Sequence, residues 1–388
     1  MNFPWILVFL TFLKGTFALE LDWNLPTDEI LKQYETVKDQ TETTGETFRK
    51  EILTKNIENV KAHNARYASG QETYLLGLNQ FSDWTEIERK SVLGFKPPNA
   101  QSDEEVLPAV RGPVEDFFGM IMKFFQYFTQ RFGICQLNFF TTSSDVAVDH
   151  RKKPCSGIVL NQGKCGSCYA FATTQVLDYN TCTKCGGKES RYSSEQNIVD
   201  CSESYGNSGC DGGLMVNSMQ FIIDKKGIDT NLSYPYVAKK EECQATKDEA
   251  SKDESSGYKA TGFVNLPQDE DSILEAVKER IVYCAIKVTD NVYSYAKGVF
   301  SDTMSCPTPS MRLNHAIVIV GYGKDEETKK PYWIIKNSWS EKWGEEGYFR
   351  LERGCCCLGI CLMCGYPEFE CDGEGKIDPR NNERENSL

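Results

Sequence analysis

The run Asn161-Gln162-Gly163-Lys164-Cys165-Gly166-Ser167-Cys168-Tyr169-Ala170-Phe171-Ala172 sets a cysteine behind small residues and directly before a helix-forming stretch. A helix N-terminus carries unpaired N–H groups and the positive end of the dipole, and both favour thiolate over thiol. The other route to a strong sulfur nucleophile is a neighbouring imidazolium. The chain has three histidines, so the search for that partner is short. His63 falls in a polar N-terminal stretch, and His150 directly precedes Arg151. His315 opens Leu313-Asn314-His315-Ala316-Ile317-Val318-Ile319-Val320-Gly321-Tyr322-Gly323, which has the pattern of a buried strand. A strand end is a rigid place to hold a base. Downstream, Asn337 in Lys336-Asn337-Ser338-Trp339 is suited to accept the imidazole N–H, fixing its tautomer and orientation.

A thiolate attacking an amide carbonyl creates a tetrahedral oxyanion that needs preorganised donors, and losing one such donor typically costs about 10²-fold to 10³-fold in rate. Gln162, a few residues before the nucleophile, offers a side-chain N–H for that task. The bland alternative for Cys168 is a structural or disulfide-bonded cysteine, a fair default in a chain with seventeen of them. Four residues in matched local contexts weigh against it.

This constellation resembles the papain family of cysteine proteases, in its cathepsin L type, and the resemblance runs through Gly365-Tyr366-Pro367. It implies an α+β, papain-like two-lobed fold, with a helical lobe facing a β-barrel-like lobe across the active-site cleft. It further implies Cys168 as nucleophile, His315 as general base and acid, Asn337 as orienter, Gln162 with the Cys168 backbone N–H as oxyanion hole, and Trp339 as a shield over the Asn–His bond. By family position Gly212, Gly213, Met215, Val288 and Leu313 bind substrate. The apolar members predict an aliphatic or aromatic preference at the second residue before the cut, because a charged group there would be desolvated without a partner. No paired histidines lie between Cys201 and Cys243, which favours an endopeptidase over a carboxydipeptidase. Three disulfides are implied: Cys165 with Cys210, Cys201 with Cys243, and Cys306 with Cys357. No cofactor is implied. The implied partners are polypeptide substrates, the chain's own propeptide and cystatin-type inhibitors.

The N-terminal region resembles the inhibitory propeptide of the same family. Arg49, Leu53, Asn56, Val60 and Asn64 fall on its long-helix motif, with Gly45 and Leu53 as departures, and Gly77, Asn79, Phe81 and Asp83 match its second motif. Such a segment folds against the catalytic domain and threads the cleft in a non-cleavable direction until acid loosens it. Other departures are Tyr169 where Trp is usual, His150 where Trp is usual and hence structural, and Cys355-Cys356-Cys357-Leu358-Gly359-Ile360 in place of a single Cys-Gly-Ile. Residues 99–143 have no family counterpart. Cys182 with Cys185 and Cys361 with Cys364 have zinc-knuckle spacing, but without a suitably framed second pair and in an oxidising compartment no metal is expected. Cys284 reads as a small buried apolar residue.

The elements around these residues follow from patterning. Phe48, Ile52, Leu53, Ile57 and Val60 mark one face of a long helix between Thr27 and about Ala68. Helices are expected after Cys168 and through Leu214 to Asp224, and strands at 282–288 and 316–320. Phe117, Ile121, Phe124, Phe128 and Phe132 recur at three- and four-residue steps, as in an amphipathic packing or interfacial helix. The apolar run Phe3–Leu13, followed by Thr16-Phe17-Ala18, reads as a secretory signal peptide and is shorter than the about 20 residues a membrane span needs. The expected organisation is a signal peptide at 1–18, a propeptide at 19–98, an insertion at 99–143, a catalytic domain at 144–371 and a disordered polar tail at 372–388. Seventeen cysteines fit export to a lysosome or the exterior, and Asn231-Leu232-Ser233 is a glycosylation candidate there. A net charge of −13 excludes a global basic field for nucleic acid. Two rival readings remain: a catalytically silent binding or inhibitory protein on the same fold, and a membrane-associated protease anchored by the Phe-rich segment.

Overall fold

The computed structural model describes residues 23, 25–37, 46–96, 147–244, 258–301 and 311–371. The signal-peptide reading, the Phe-rich segment, Cys306 and the polar tail therefore lie outside the described residues. Two helices open the described chain, α1 (Thr27–Val37) and α2 (Glu46–Ala68), and the long helix read from Phe48 to Val60 is α2. Ile30, Leu31, Leu53 and Ile57 form a small core between them. Val60, one turn on from Ile57, is buried in the core of the sheet lobe instead. Phe48 does not join this face: it is 57% exposed. A return segment follows, comprising β1 (Tyr74–Leu76) and the short α3 (Glu86–Ser91). The start of α3 is fixed by a reciprocal capping box between Thr85 and Glu88.

The rest of the chain builds two lobes. Beyond β2 (Val148–Asp149) lie α4 (Cys168–Lys184), α5 (Glu195–Cys201) and α6 (Met215–Asp224). Then come β3 (Gly262–Asn265), α7 (Glu270–Glu279), β4 (Val282–Ile286), α8 (Asp290–Tyr293), β5 (Tyr295–Phe300), β6 (His315–Lys324), β7 (Pro331–Lys336), β8 (Tyr348–Glu352) and β9 (Cys364–Glu368). The sheet runs β1-β5-β8-β7-β6-β4-β9-β3, with β2 pairing β6, so its path ends at β1 and β3 without closing among the described residues. Its first strand belongs to the N-terminal segment, which thereby extends the sheet of the lobe it covers.

β6 explains the unbroken apolar run read from the sequence. Ile317 and Ile319 point into the core of the sheet lobe, while Ala316, Val318 and Val320 point into the core shared with α4. A strand buried on both faces has no polar face to alternate with. β4, paired with β6 from Val282↔Ile319 to Ile286↔His315, is divided in the same way. The two strands are thus the wall on which the lobes meet, and His315 stands at its rim.

The disulfides differ from expectation in the sheet lobe. Cys165–Cys210 and Cys201–Cys243 are present. Cys357 is joined to Cys355, not to Cys306, and Cys356 is joined to Cys361. The backbone enters the left-handed region at Cys356 and again at Leu358, so the crowded run folds on itself and pairs locally. Cys284 is not a simple apolar filler either. It lies directly opposite Cys364 in the β4–β9 register and is bonded to it. Cys155–Cys182 and Cys185–Cys371 staple the far end of α4, which leaves neither zinc-knuckle pair with free thiols.

Candidate active site

α4 begins at Cys168, and among the described residues this is the one free cysteine. Its sulfur is fully buried and accepts hydrogen bonds from the N–H of Ala316, next to His315, and from the N–H of Gly94, both at 3.3 Å. The backbone N–H groups of Tyr169 and Cys168 also stabilise its charged form. Burial nevertheless dominates and pushes the thiol up to about 11. His315 shows the mirror effect: burial pulls the imidazole down to about 4, against the bond from Asn337 that raises it. Both groups are therefore neutral in this covered state.

His315 Nε2 lies 2.8 Å from Asn337 Oδ1. An amide oxygen only accepts, so Nε2 carries the proton, and the lone pair of the neutral ring is on Nδ1. Nδ1 is buried without a hydrogen-bond partner, as a base awaiting a proton would be. Ser338 N–H also donates to Asn337 Oδ1, at 2.8 Å, which locks the amide in that orientation. Trp339 lies over the ring with centroids 4.6 Å apart, and Tyr293 stacks on the indole in turn. Gln162 reaches the same place from the other lobe. Its backbone N–H donates to Ser338 O at 2.9 Å, and its Oε1 accepts from Ser338 Oγ at 2.7 Å. That aims Nε2 toward the cleft, where it donates to Val92 O at 3.0 Å and Cys165 O at 2.7 Å. Cys168, His315, Asn337 and Gln162 are thus brought to one seam.

The seam is filled by the chain's own residues 92–96. Gly94 O accepts from Gly213 N–H at 2.8 Å, Lys96 N–H donates to Gly213 O at 3.2 Å, and Phe95 N–H donates to Asn314 O at 3.1 Å. Phe95 and Gly213 form a parallel bridge. A Cβ on Gly94 would collide with the Gly166 carbonyl, and one on Gly212 would meet Gly94 O, so backbones approach here at distances only glycine permits. Phe95 joins the apolar cluster that holds Leu214, Met215 and Leu313, whereas Val288 belongs to the core of the other lobe.

Side chains brace the N-terminal segment internally, and others fasten it to the sheet lobe. Arg49 pairs with Glu88 at 2.6 Å, Asn56 donates to Ser82 O at 2.6 Å, and Asn64 exchanges two 3.0 Å bonds with the backbone of Leu76. His63, on the same helix, is bonded to Tyr74 O at 3.0 Å. Asn79 donates to Tyr293 O and Gln80 to Trp339 O, both at 2.7 Å. Phe81 wedges between Trp84, Tyr293 and Trp339. His150 is remote from all this. It bonds Tyr179 OH and Val277 O, tying α4 to α7.

Residues 145–367 match the model for papain family cysteine proteases, and residues 31–88 match that for the cathepsin propeptide inhibitor domain. The chain belongs to the papain family of cysteine proteases. It is 33% identical to cathepsin L of Sarcophaga peregrina over 83% of this chain and 86% of that one. It is also 33% identical to cathepsin S of Mus musculus over 91% of each. The fold is similar to that of digestive procathepsin L 3 from the larval midgut of Tenebrio molitor, with a TM-score of 0.67 and 30% identity over 88% of this chain and 99% of that one. The papain-family chain is thus a cathepsin L-like zymogen carrying its own inhibitory domain. Within it, the sequence motifs missed Val92, Gly94 and Ser338, which act through backbone groups or one hydroxyl. They also missed Tyr293, for which no local motif exists. Asn231 is half-buried with its amide donating to Glu195 at 3.3 Å, so a glycan there would have to share that nitrogen. No described helix is long and apolar enough to cross a membrane.

Proposed function

We propose that this zymogen matures to an endopeptidase of the secretory pathway, lysosomal or extracellular, which cuts polypeptides through an acyl-enzyme on Cys168. His315 Nδ1 takes the thiol proton, Asn337 holds the ring's other nitrogen, and Gln162 Nε2 with the Cys168 N–H receives the oxyanion. Trp339 keeps water from the His–Asn bond. The observation that carries this reading is the occupancy of the site by residues 92–96. A carbonyl, Val92 O, already sits on Gln162 Nε2, and a backbone N–H, that of Gly94, sits on the sulfur. Peptide backbone therefore fits where a scissile bond would lie. Removing this segment lifts the burial that holds Cys168 and His315 neutral, so the thiol falls and the imidazole rises toward the charged pair.

Gly212 and Gly213 supply the wall along which an extended substrate would lie. Met215 and Leu313, in the cluster where Phe95 now rests, with Val288 facing from the core of the other lobe, would supply an apolar pocket for the second residue before the cut. The domain limits proposed from sequence, 19–98 and 144–371, follow the same division between cover and catalyst, and cystatin-type inhibitors would compete for the emptied cleft. The test is alkylation of acid-processed protein by a peptidyl epoxide, read by mass spectrometry, beside gelatin digestion. Modification confined to Cys168, with digestion abolished in Cys168→Ala, supports the assignment. A correctly folded, processed protein that is neither labelled nor active would instead be the silent binder.

A further inference from the structure

α4 starts with an anomaly. Ser167 is its N-cap residue, and a serine at that position ordinarily turns its hydroxyl back to accept the N–H of the second or third helical residue. Here the Ser167 backbone is not extended, at φ −102° and ψ 13°, and its side chain makes no such bond. Its Oγ lies 2.6 Å from the hydroxyl of Tyr236, which itself donates to the carbonyl of Gln162 at 2.8 Å. A carbonyl only accepts, so the single phenolic proton is committed to Gln162, and Ser167 must be the donor to the Tyr236 oxygen. Ser167 and Gln162 are completely buried, and the Tyr236 ring is held edge-on to Phe171 of α4 at 4.8 Å. The hydroxyl therefore has a fixed seat.

We infer that Tyr236 is a positioning residue for both halves of the catalytic centre: it keeps the Ser167 hydroxyl from capping α4 and anchors the backbone that presents Gln162. The inference rests on the function proposed above. With the Ser167 hydroxyl turned away, the N–H groups of Cys168 and Tyr169 stay available to the sulfur and to the oxyanion, those of Ala170 and Phe171 being bonded to Ser167 O. Remove the phenolic oxygen and Ser167 loses its acceptor, whereupon its Oγ rotates to accept a helix N–H, as serine does at other N-caps. The thiolate then loses a donor, and the Gln162 carbonyl loses its tether. The titratable groups around the sulfur and Tyr236 are His315 on β6, Tyr169 on α4, Tyr236 itself, and Glu195 and Asp200 on α5. Of these Glu195, raised by burial to about 7, is the one whose titration the Ser167→Ala control must share with the parent. Burial raises both phenols far above working pH, so neither changes charge there.

The experiment compares acid-processed parent, Tyr236→Phe, Ser167→Ala and the double variant. It follows the pH profile of epoxide alkylation at Cys168, together with kcat and KM on a fluorogenic peptide. The expected result for Tyr236→Phe is an acid limb displaced to higher pH, with alkylation below that limb slowed about tenfold, the scale of one hydrogen bond to a charged group. Its kcat should fall while KM stays near that of the parent. Ser167→Ala alone should keep the parental limb, and adding Ser167→Ala to Tyr236→Phe should restore it, because no hydroxyl remains to compete. A Tyr236→Phe limb that coincides with the parent's, a double variant that is not restored, or a Ser167→Ala limb displaced as far as that of Tyr236→Phe each overturns the inference. A parent that is not labelled at Cys168 overturns the catalytic reading itself, which separates the two failures.

Discussion

Two parts of the inhibitory segment hold the enzyme by different means. The clasp, residues 49–89, holds the sheet lobe by Phe81 in an aromatic socket, by Asn79 and Gln80 on carbonyls and by the pairing of β1 with β5, while Arg49 and Glu88 brace it internally. The thread, residues 92–96, meets the sulfur, Gln162 and Gly213 through its backbone, while its Val92 and Phe95 side chains are buried in the two cores. Side-chain recognition makes the clasp specific to this lobe. Backbone recognition makes the thread a stand-in for any peptide, and so a stopper for a site that must accept many. Affinity and inhibition are therefore separable, and labelling of Cys168 in the intact zymogen at neutral pH is the measurement that separates them.

The largest effect is expected from Gly94→Ala. The added methyl has no room against the Gly166 carbonyl, so the thread must leave the seam while the clasp stays in place. Labelling should then approach the rate of the processed enzyme, with the thermal midpoint of the zymogen almost unchanged. Labelling that stays at the zymogen's slow rate would show that the thread tolerates a side chain there. Phe81→Ala breaks the other half. Phe81 is buried, and truncating a buried Phe costs about 3–5 kcal/mol, which corresponds to a population of open zymogen raised about two to four orders of magnitude. Here labelling should rise by that factor and the midpoint should drop. An unmoved midpoint would mean that the socket contributes little.

The same contrast explains what could be read from the sequence. The clasp carries its signature in residue types, since Arg49, Asn56, Asn64, Asn79 and Phe81 each use a side chain, and the motifs that named them were local. Cys168, His315 and Asn337 were legible for the same reason: their chemistry demands those side chains in those contexts. The thread was not, because Val92 and Lys96 contribute an O and an N–H that every residue but proline carries. The partner of Cys284 was hidden too. It became visible only when β4 and β9 were placed in register, and the Cys355–Cys357 link only when the backbone turned at Cys356. The apolar run from Ala316 was read as buried without showing that its two faces serve different cores.

Charge extends the comparison to acid. Behind the thread, burial raises Asp178 of α4 to about 7, against hydrogen bonds from Ser193 that lower it, and raises Glu195 to about 7 as well. A carboxyl that keeps its proton longer when folded than when unfolded stabilises the fold fully below its unfolded value near 3.8, and that stabilisation is lost as pH rises through about 7. The helical lobe is thus strengthened by acid. Asp178→Asn removes this dependence, so the parent's thermal midpoint should fall by a few degrees more than the variant's between pH 4 and pH 7. Parallel curves would refute the assignment.

The clasp's ion pair behaves in the opposite sense, and the smallest effect follows from it. Partial burial raises Glu88, but hydrogen bonds from Arg49 and Thr85 outweigh it and hold the carboxyl at about 2. A depressed carboxylate contributes fully above its unfolded value, here 4.5, and that contribution is lost only as pH falls from there through about 2. Between pH 7 and pH 5 the pair therefore keeps its full strength, and any opening by acid in that range would start elsewhere. Glu88→Gln removes an internal brace of the clasp and its 4.0 Å contact with Lys164, weakening the clasp by the same factor at every pH in this window. Labelling should rise uniformly, and its ratio between pH 5 and pH 7 should equal the parent's. A ratio that collapses toward unity in the variant would make Glu88 the acid trigger and reverse the assignment of the clasp as the part that acid leaves intact.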